Sequence, residues 1–267
     1  MDLLIPFRMA HKMNQKRINV VNKVNSTMAR ENQCGVFLNC GREFSVASTK
    51  AFVCQVTVMT LVAIWFAQNK NFNATKKLRN KMIKELKMLS SNLKKTLDNV
   101  NDKSQEIAQQ LTGKRHIFFM GQGIAECIAK EGALKMKELT YLHCQQIKLH
   151  DLGNNFFCYL KKFPESPIII IILDKQPDKM QMIEEVERLQ GQVNFMPIIV
   201  TDIKDKTLRE RFETFSSGRV FYVQRSGFAL SALLCVVPLQ RLAYDLTLAL
   251  GYHPDKPRNL AKELTTQ

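Results

Sequence analysis

Glu131, Lys135 and Glu138 fall at i, i+4 and i+7 in the run EGALKMKE, a spacing that puts two carboxylates and an amine on one helix face. A carboxylate within hydrogen-bond reach of a substrate can carry a proton, and an amine beside it can steady developing charge or act as a nucleophile. Leu134 and Leu139 border the stripe. An apolar groove there would shift the proton affinities of all three groups. The same spacing also describes a solvated row of ion pairs, each worth roughly a few tenths of a kcal/mol. On periodicity alone the solvated row is the simpler reading.

Two further segments change the weighting. The C-terminal run PRNLAKELTTQ carries Lys262, and residues 34–50 read CGVFLNCGREFSVASTK, with Val46-Ala47-Ser48-Thr49-Lys50 at the end. With EGALKMKE, these segments closely resemble the isomerase region of the glutamine:fructose-6-phosphate aminotransferase family, from about residue 17 onward. The resemblance implies that Lys262 forms a Schiff base with an open-chain ketose, for which its amine must be neutral. A free lysine has a pKa of about 10.4, so the tail must enter a pocket that desolvates it or places a cation such as Lys135 nearby. Glu138 matches the proton shuttle between the first two sugar carbons. Glu131 and Lys135 match positions that organise the site, and Val46, Ser48 and Ala261 match sugar-contacting positions. A helix starting near Ser48 would offer backbone amides to an anion. The implied ligand is a sugar phosphate of the fructose 6-phosphate kind, with no cofactor.

Against the family pattern, the chain opens Met1-Asp2 and shows no glutaminase domain with a leading cysteine nucleophile, and no Ser-Gln-Ser-Gly-Glu-Thr phosphate loop. Asn154 stands where the family has a ring-opening histidine, and an amide cannot take and return a proton near neutrality. His150, four positions away, reads as a surface residue. The family's Gly-Arg-Gly turn is here Gly121-Gln122-Gly123. The expectation is a sugar-phosphate-binding relative, impaired in catalysis and without its own ammonia supply. Any residual activity would be of the isomerase/aminotransferase type. The alternative is a non-catalytic partner or regulator of the full-length enzyme.

Lysine and arginine outnumber acids by 39 to 24, a formal charge of +15. Eight of the basic residues lie within 76–95, interleaved with Leu78, Met82, Leu86, Leu89 and Leu93 at steps of three and four. This is a basic amphipathic helix. It lacks the tryptophans of a membrane anchor and the interleaved aromatics of single-strand binders, so a linking helix with a solvated face is expected, with neither nucleic acid nor membrane as partner. Seven cysteines without paired close spacing or a histidine cluster predict reduced thiols in the cytoplasm and no metal. Residues 51–67 are apolar enough to test against a bilayer span, but Gln55, Thr57 and Thr60 favour a core helix.

From residue 114 onward strands alternate with helices. Strands are predicted at 116–120, 167–173 (with five consecutive isoleucines), 195–201 and 219–223, with helices at 178–190 and 228–250. The predicted fold class is α/β, a three-layer α/β/α arrangement with a mostly parallel sheet. It resembles a complete sugar isomerase (SIS) domain at 114–256. Residues 1–72 match only the second half of another such domain, with strands at 17–21 and 35–39. Residues 73–113 link the two, and 257–267 form the tail. A half-sheet leaves an open edge, so dimerisation is expected, with a second copy or with the full-length enzyme.

Overall fold

The computed structural model describes residues 3–32, 34–152 and 155–258. The chain divides into two compact units, Met1–Asn80 with Arg258–Gln267, and Lys81–Pro257.

In the first unit, helix α1 (Leu4–Lys12) precedes strand β1 (Asn19–Val21), helix α2 (Thr27–Glu31), strand β2 (Gly35–Phe37) and helix α3 (Lys50–Lys70). The strands pair in parallel, Asn19 opposite Gly35 and Val21 opposite Phe37. Asn19 is buried and ties the crossover down, its side-chain amide donating to the carbonyls of Met28 at 2.7 Å and Asn32 at 2.9 Å. Ser26 caps α2 by accepting from the Ala29 amide. Helix α3 is apolar on all sides, as a helix inside a core would be. Among the described residues, only its Ile64 is buried, while Met59, Leu61 and Trp65 are each at least half exposed. A two-stranded sheet is too small to cover such a helix.

Helix α4 (Phe72–Leu111) runs 40 residues, with Leu89, Thr96, Val100, Ser104, Ile107 and Leu111 on its buried stripe. Its lysines at 76, 77, 81, 84, 87, 94 and 95 are exposed, as expected of a solvated basic face. Arg79 instead is buried, bonded to the Phe72 carbonyl and the Thr75 hydroxyl.

The second unit continues with β3 (His116–Met120), α5 (Ile124–Thr140), β4 (His143–Ile147), α6 (Leu149–Leu152), α7 (Asn155–Lys162), β5 (Pro167–Ile172), α8 (Lys179–Gln190), β6 (Met196–Thr201), α9 (Lys206–Ser216), β7 (Val220–Tyr222), α10 (Phe228–Leu234) and α11 (Val236–Ala249). The sheet has the order β4-β3-β5-β6-β7 and every pairing is parallel. Ile168 to Ile172 are fully buried because both faces of β5 are covered. Phe118, Ile168, Ile170 and Ile172 pack with Met182, Val186, Leu189 and Phe212 of α8 and α9. On the other face Phe119 meets α5 and α11 at Gly132, where an added Cβ would lie 2.6 Å from Leu239 and 3.0 Å from the Phe119 ring.

Strand β4 escapes the sequence reading because His143, Gln145 and Gln146 make it polar. Only Cys144 and Ile147 are buried, as befits the edge of a sheet. The long helix expected at 228–250 is divided at Cys235. Pro238 has no N–H to offer the Leu234 carbonyl, so the helical ladder is interrupted one turn earlier.

Candidate functional site

Helix α5 begins after a tight turn out of β3. Gly123 takes a left-handed φ of 59°, and a Cβ on Gly121 would lie 2.4 Å from the Ala125 carbonyl oxygen, so both glycines are needed to start the helix there. Ala125, Ile128, Ala129, Gly132, Ala133, Met136 and Leu139 form its buried face. The predicted stripe lies at the margin of that face.

Lys135 is 4% exposed. Its Nζ donates to Glu138 Oε2 at 2.7 Å and lies 3.8 Å from Glu131 Oε1, so one ammonium is held between two carboxylates. The row is therefore not the solvated one that periodicity favoured. The Glu138 carboxylate keeps 24% of its side chain open and Glu131 12%, leaving Glu138 the more accessible acid. Burial raises the Glu131 carboxyl above its usual value; the Lys135 charge pulls it down and Glu138 pushes it up. Of the two leucines expected to wall a groove, Leu139 is buried and Leu134 is exposed. The apolar border is one-sided.

Val46 and Ser48 are half-buried in the segment leading into α3. Here the first amides of the helix are already engaged, since Glu43 Oε1 accepts from the Thr49 amide at 2.8 Å and from Ala51 at 3.4 Å. The anion expected at that helix start is thus the chain's own carboxylate. Ala261, Lys262 and Asn154 lie outside the described residues. His150 is largely exposed, its Nε2 3.1 Å from Asp151 Oδ1, in keeping with its reading as a surface residue.

A cavity of about 420 Å³ opens at the carboxyl ends of β3 and β4, lined by Gly121, Gln122, Glu126, Lys148, His150 and Glu185. It sits beside the point where the strand order reverses around β3, the general place for ligands in open parallel sheets. Its acids are occupied. Lys130 lowers Glu126, and Arg188 lowers Glu185 against a smaller opposing effect of burial. The sequence reading missed this cavity because its lining comes from three helices, α5, α6 and α8, and the turns before the first two; the glycine pair after β3 was the one local signal.

A family model described as the SIS domain matches residues 110–249, spanning the five-stranded sheet and its helices. The chain belongs to the SIS domain family. Glutamine–fructose-6-phosphate aminotransferase (isomerizing) 1 of Rattus norvegicus is 31% identical to this SIS chain over 269 residues, covering 100% of this chain and 37% of that protein. The corresponding enzyme of Chlorobaculum tepidum is also 31% identical, again over the whole chain but only 41% of its own length. The chain therefore spans well under half of the curated relatives it matches. The solved C-terminal domain of glucosamine-fructose-6-phosphate aminotransferase from Francisella tularensis superposes with a TM-score of 0.83 at 25% identity, covering 94% of this chain and 68% of that one. The similarity thus runs through both compact units of the SIS chain.

Among the described residues no group of three or more His, Cys, Asp or Glu side chains is placed to hold a metal. Among the described residues two helical stretches, Lys50–Lys70 and Ala229–Ala249 (α10 and α11 taken together across Cys235), are long and apolar enough to cross a membrane; the second is two-thirds buried in the SIS fold.

Proposed function

We propose that the chain binds a sugar phosphate of the fructose 6-phosphate kind at the Glu131–Lys135–Glu138 cluster, in a role tied to amino-sugar synthesis in the cytosol. The burial of Lys135 between two carboxylates carries this reading. Burying an ammonium and its partners costs more than an apolar packing of the same volume, so such a group suits a site better than a core. In this reading the Lys262 amine adds to the C2 carbonyl of the open-chain sugar, water leaves, and Glu138 carries a proton between C1 and C2. Val46, Ser48 and Ala261 contact the sugar. Asn154 offers no base for ring opening, so turnover is impaired.

Incubation with fructose 6-phosphate and borohydride tests this reading. The expected result is a reduced sugar adduct on Lys262 in wild type and also in Glu138→Gln, since the imine forms before the proton moves between C1 and C2. No adduct, together with no rise in melting temperature on adding the sugar, would overturn retained binding.

A second reading rests on the exposed apolar residues of α3, where Met59 on one side and Leu61 and Trp65 on the other are 54%, 50% and 59% exposed. So much apolar surface on one helix marks an interaction site. Here the chain pairs with a second copy or with the full-length aminotransferase and tunes it. Light scattering showing a monomer at micromolar concentration, with no co-precipitation of that enzyme, would exclude this.

A further inference from the structure

His116 opens β3 and His143 opens β4, and the two are in-register partners across the parallel pair. Their Nδ1 atoms stand 3.2 Å apart, with the rings edge to face at 5.2 Å between centroids. In the metal-free state a single proton between these nitrogens makes a hydrogen bond. The same separation suits a metal ion. With metal–nitrogen bonds of about 2.0–2.1 Å, two ligand atoms 3.2 Å apart subtend an angle of about 100° at the ion, close to tetrahedral.

We propose that His116 and His143 form a two-histidine site for a borderline transition-metal ion, Zn²⁺, Ni²⁺ or Cu²⁺. The ring that donates its Nδ1 proton shifts to the Nε2–H tautomer, so both rings bind as neutral imidazoles and no net proton is released. Imidazole pairs favour these ions over Mg²⁺ or Ca²⁺, which demand oxygen ligands. Phe118 and Tyr159 pack edge-on near the two rings and limit how far they can turn. Beside His116 a cavity of about 390 Å³, also lined by Gly113, Tyr159, Phe163 and Ser166, has room for the water ligands that complete the shell. Of the neighbouring cations, Lys114 is paired with Glu165 at 3.5 Å, while Arg115 is exposed and opposes a bound cation. That opposition, and only two protein ligands, make the site weaker than a structural zinc centre. The pairing is invisible in sequence because 27 residues separate the two rings.

Calorimetric titration of the whole chain with Zn²⁺ under reducing conditions, and electron paramagnetic resonance of the thiol-blocked chain with one equivalent of Cu²⁺, test the site. One ion per chain is expected, with copper hyperfine structure from two nitrogens. Binding should fall at least tenfold in His143→Gln and in His116→Gln, where a glutamine amide can keep a hydrogen bond across the strands. His150→Gln and His253→Gln should leave it unchanged. Binding that survives both glutamine variants, a spectrum without two nitrogens, or no saturable binding up to millimolar metal would overturn the proposal.

Discussion

Leu239 of α11 reaches into a notch in α5 that exists because residue 132 is glycine: a Cβ there would lie 2.6 Å from Leu239 Cδ1. The notch adjoins Glu131, so the depth at which α5 docks also sets how far its charged stripe is withdrawn from water. Gly132→Ala gains helix propensity but must push Leu239 or the Phe119 ring aside, and overpacking outweighs propensity. A loss of about 1–3 kcal/mol is expected in urea unfolding. An unchanged midpoint would show that α11 can retreat freely.

Lys135→Met keeps the length of the side chain and removes its charge, leaving Glu131 and Glu138 without their shared cation. Breaking a fully buried pair costs about 3–5 kcal/mol, but both carboxylates here reach some solvent, so about 1–3 kcal/mol is expected at pH 7. Adding Glu131→Gln should restore part of it, since one uncompensated charge then disappears. Denaturant curves for the two single variants and the double variant measure the coupling.

Two carboxyls respond oppositely to pH. Burial holds Glu131 above its ordinary value of 4.5, so the native chain keeps this proton more tightly than the unfolded one. Its contribution is full below 4.5 and is lost as pH rises through the native value. At Asp174 burial also pushes upward, but the hydrogen bond and charge of Lys179 and the charge of Arg225 outweigh it and hold the carboxyl below 3.8. Its contribution is present above 3.8 and fades as pH falls through the native value. Glu131→Gln should therefore flatten the decline of stability above pH 4.5, and Asp174→Asn should weaken the chain at pH 7 but not in strong acid. Urea melts across that range, compared with wild type, give both slopes.

The thiols should divide by burial. Desolvation pushes Cys144 up to about 12 and Cys235 well above its ordinary value, whereas Cys34, Cys127 and Cys158 are exposed. Iodoacetamide at pH 8 should modify the exposed three first and reach Cys144 and Cys235 only after unfolding. Labelling of Cys144 in the native state at the rate of Cys127 would show that the β4 edge opens.

Much of the fold is legible locally. Five isoleucines in a row can be satisfied only where both faces of a strand are covered, and β5 is that strand. The alternation of strands and helices after residue 114 prescribes the parallel sheet, because parallel neighbours need crossovers. The edge strand β4 is not legible, since two of its five residues are exposed and only two are buried. The break at Cys235 was signalled by Pro238, whose effect falls a turn before the proline itself. Within the candidate site, spacing identifies Glu131, Lys135 and Glu138 as neighbours but says nothing about their depth. The amides at the start of α3 illustrate the converse: sequence predicts a helix start open to anions, and Glu43 folds back to fill it.

Residue order alone determined which groups share the face of α5, because the pitch of a helix is set by its backbone and needs no tertiary partner. Whether that face was an idle surface row or a withdrawn ion cluster was decided by tertiary packing, which leaves Lys135 only 4% exposed. The meeting of His116 with His143 was likewise left to the register of two strands. Burial and register depend on chain segments far apart in sequence, and no local pattern of side chains encodes how those segments pack.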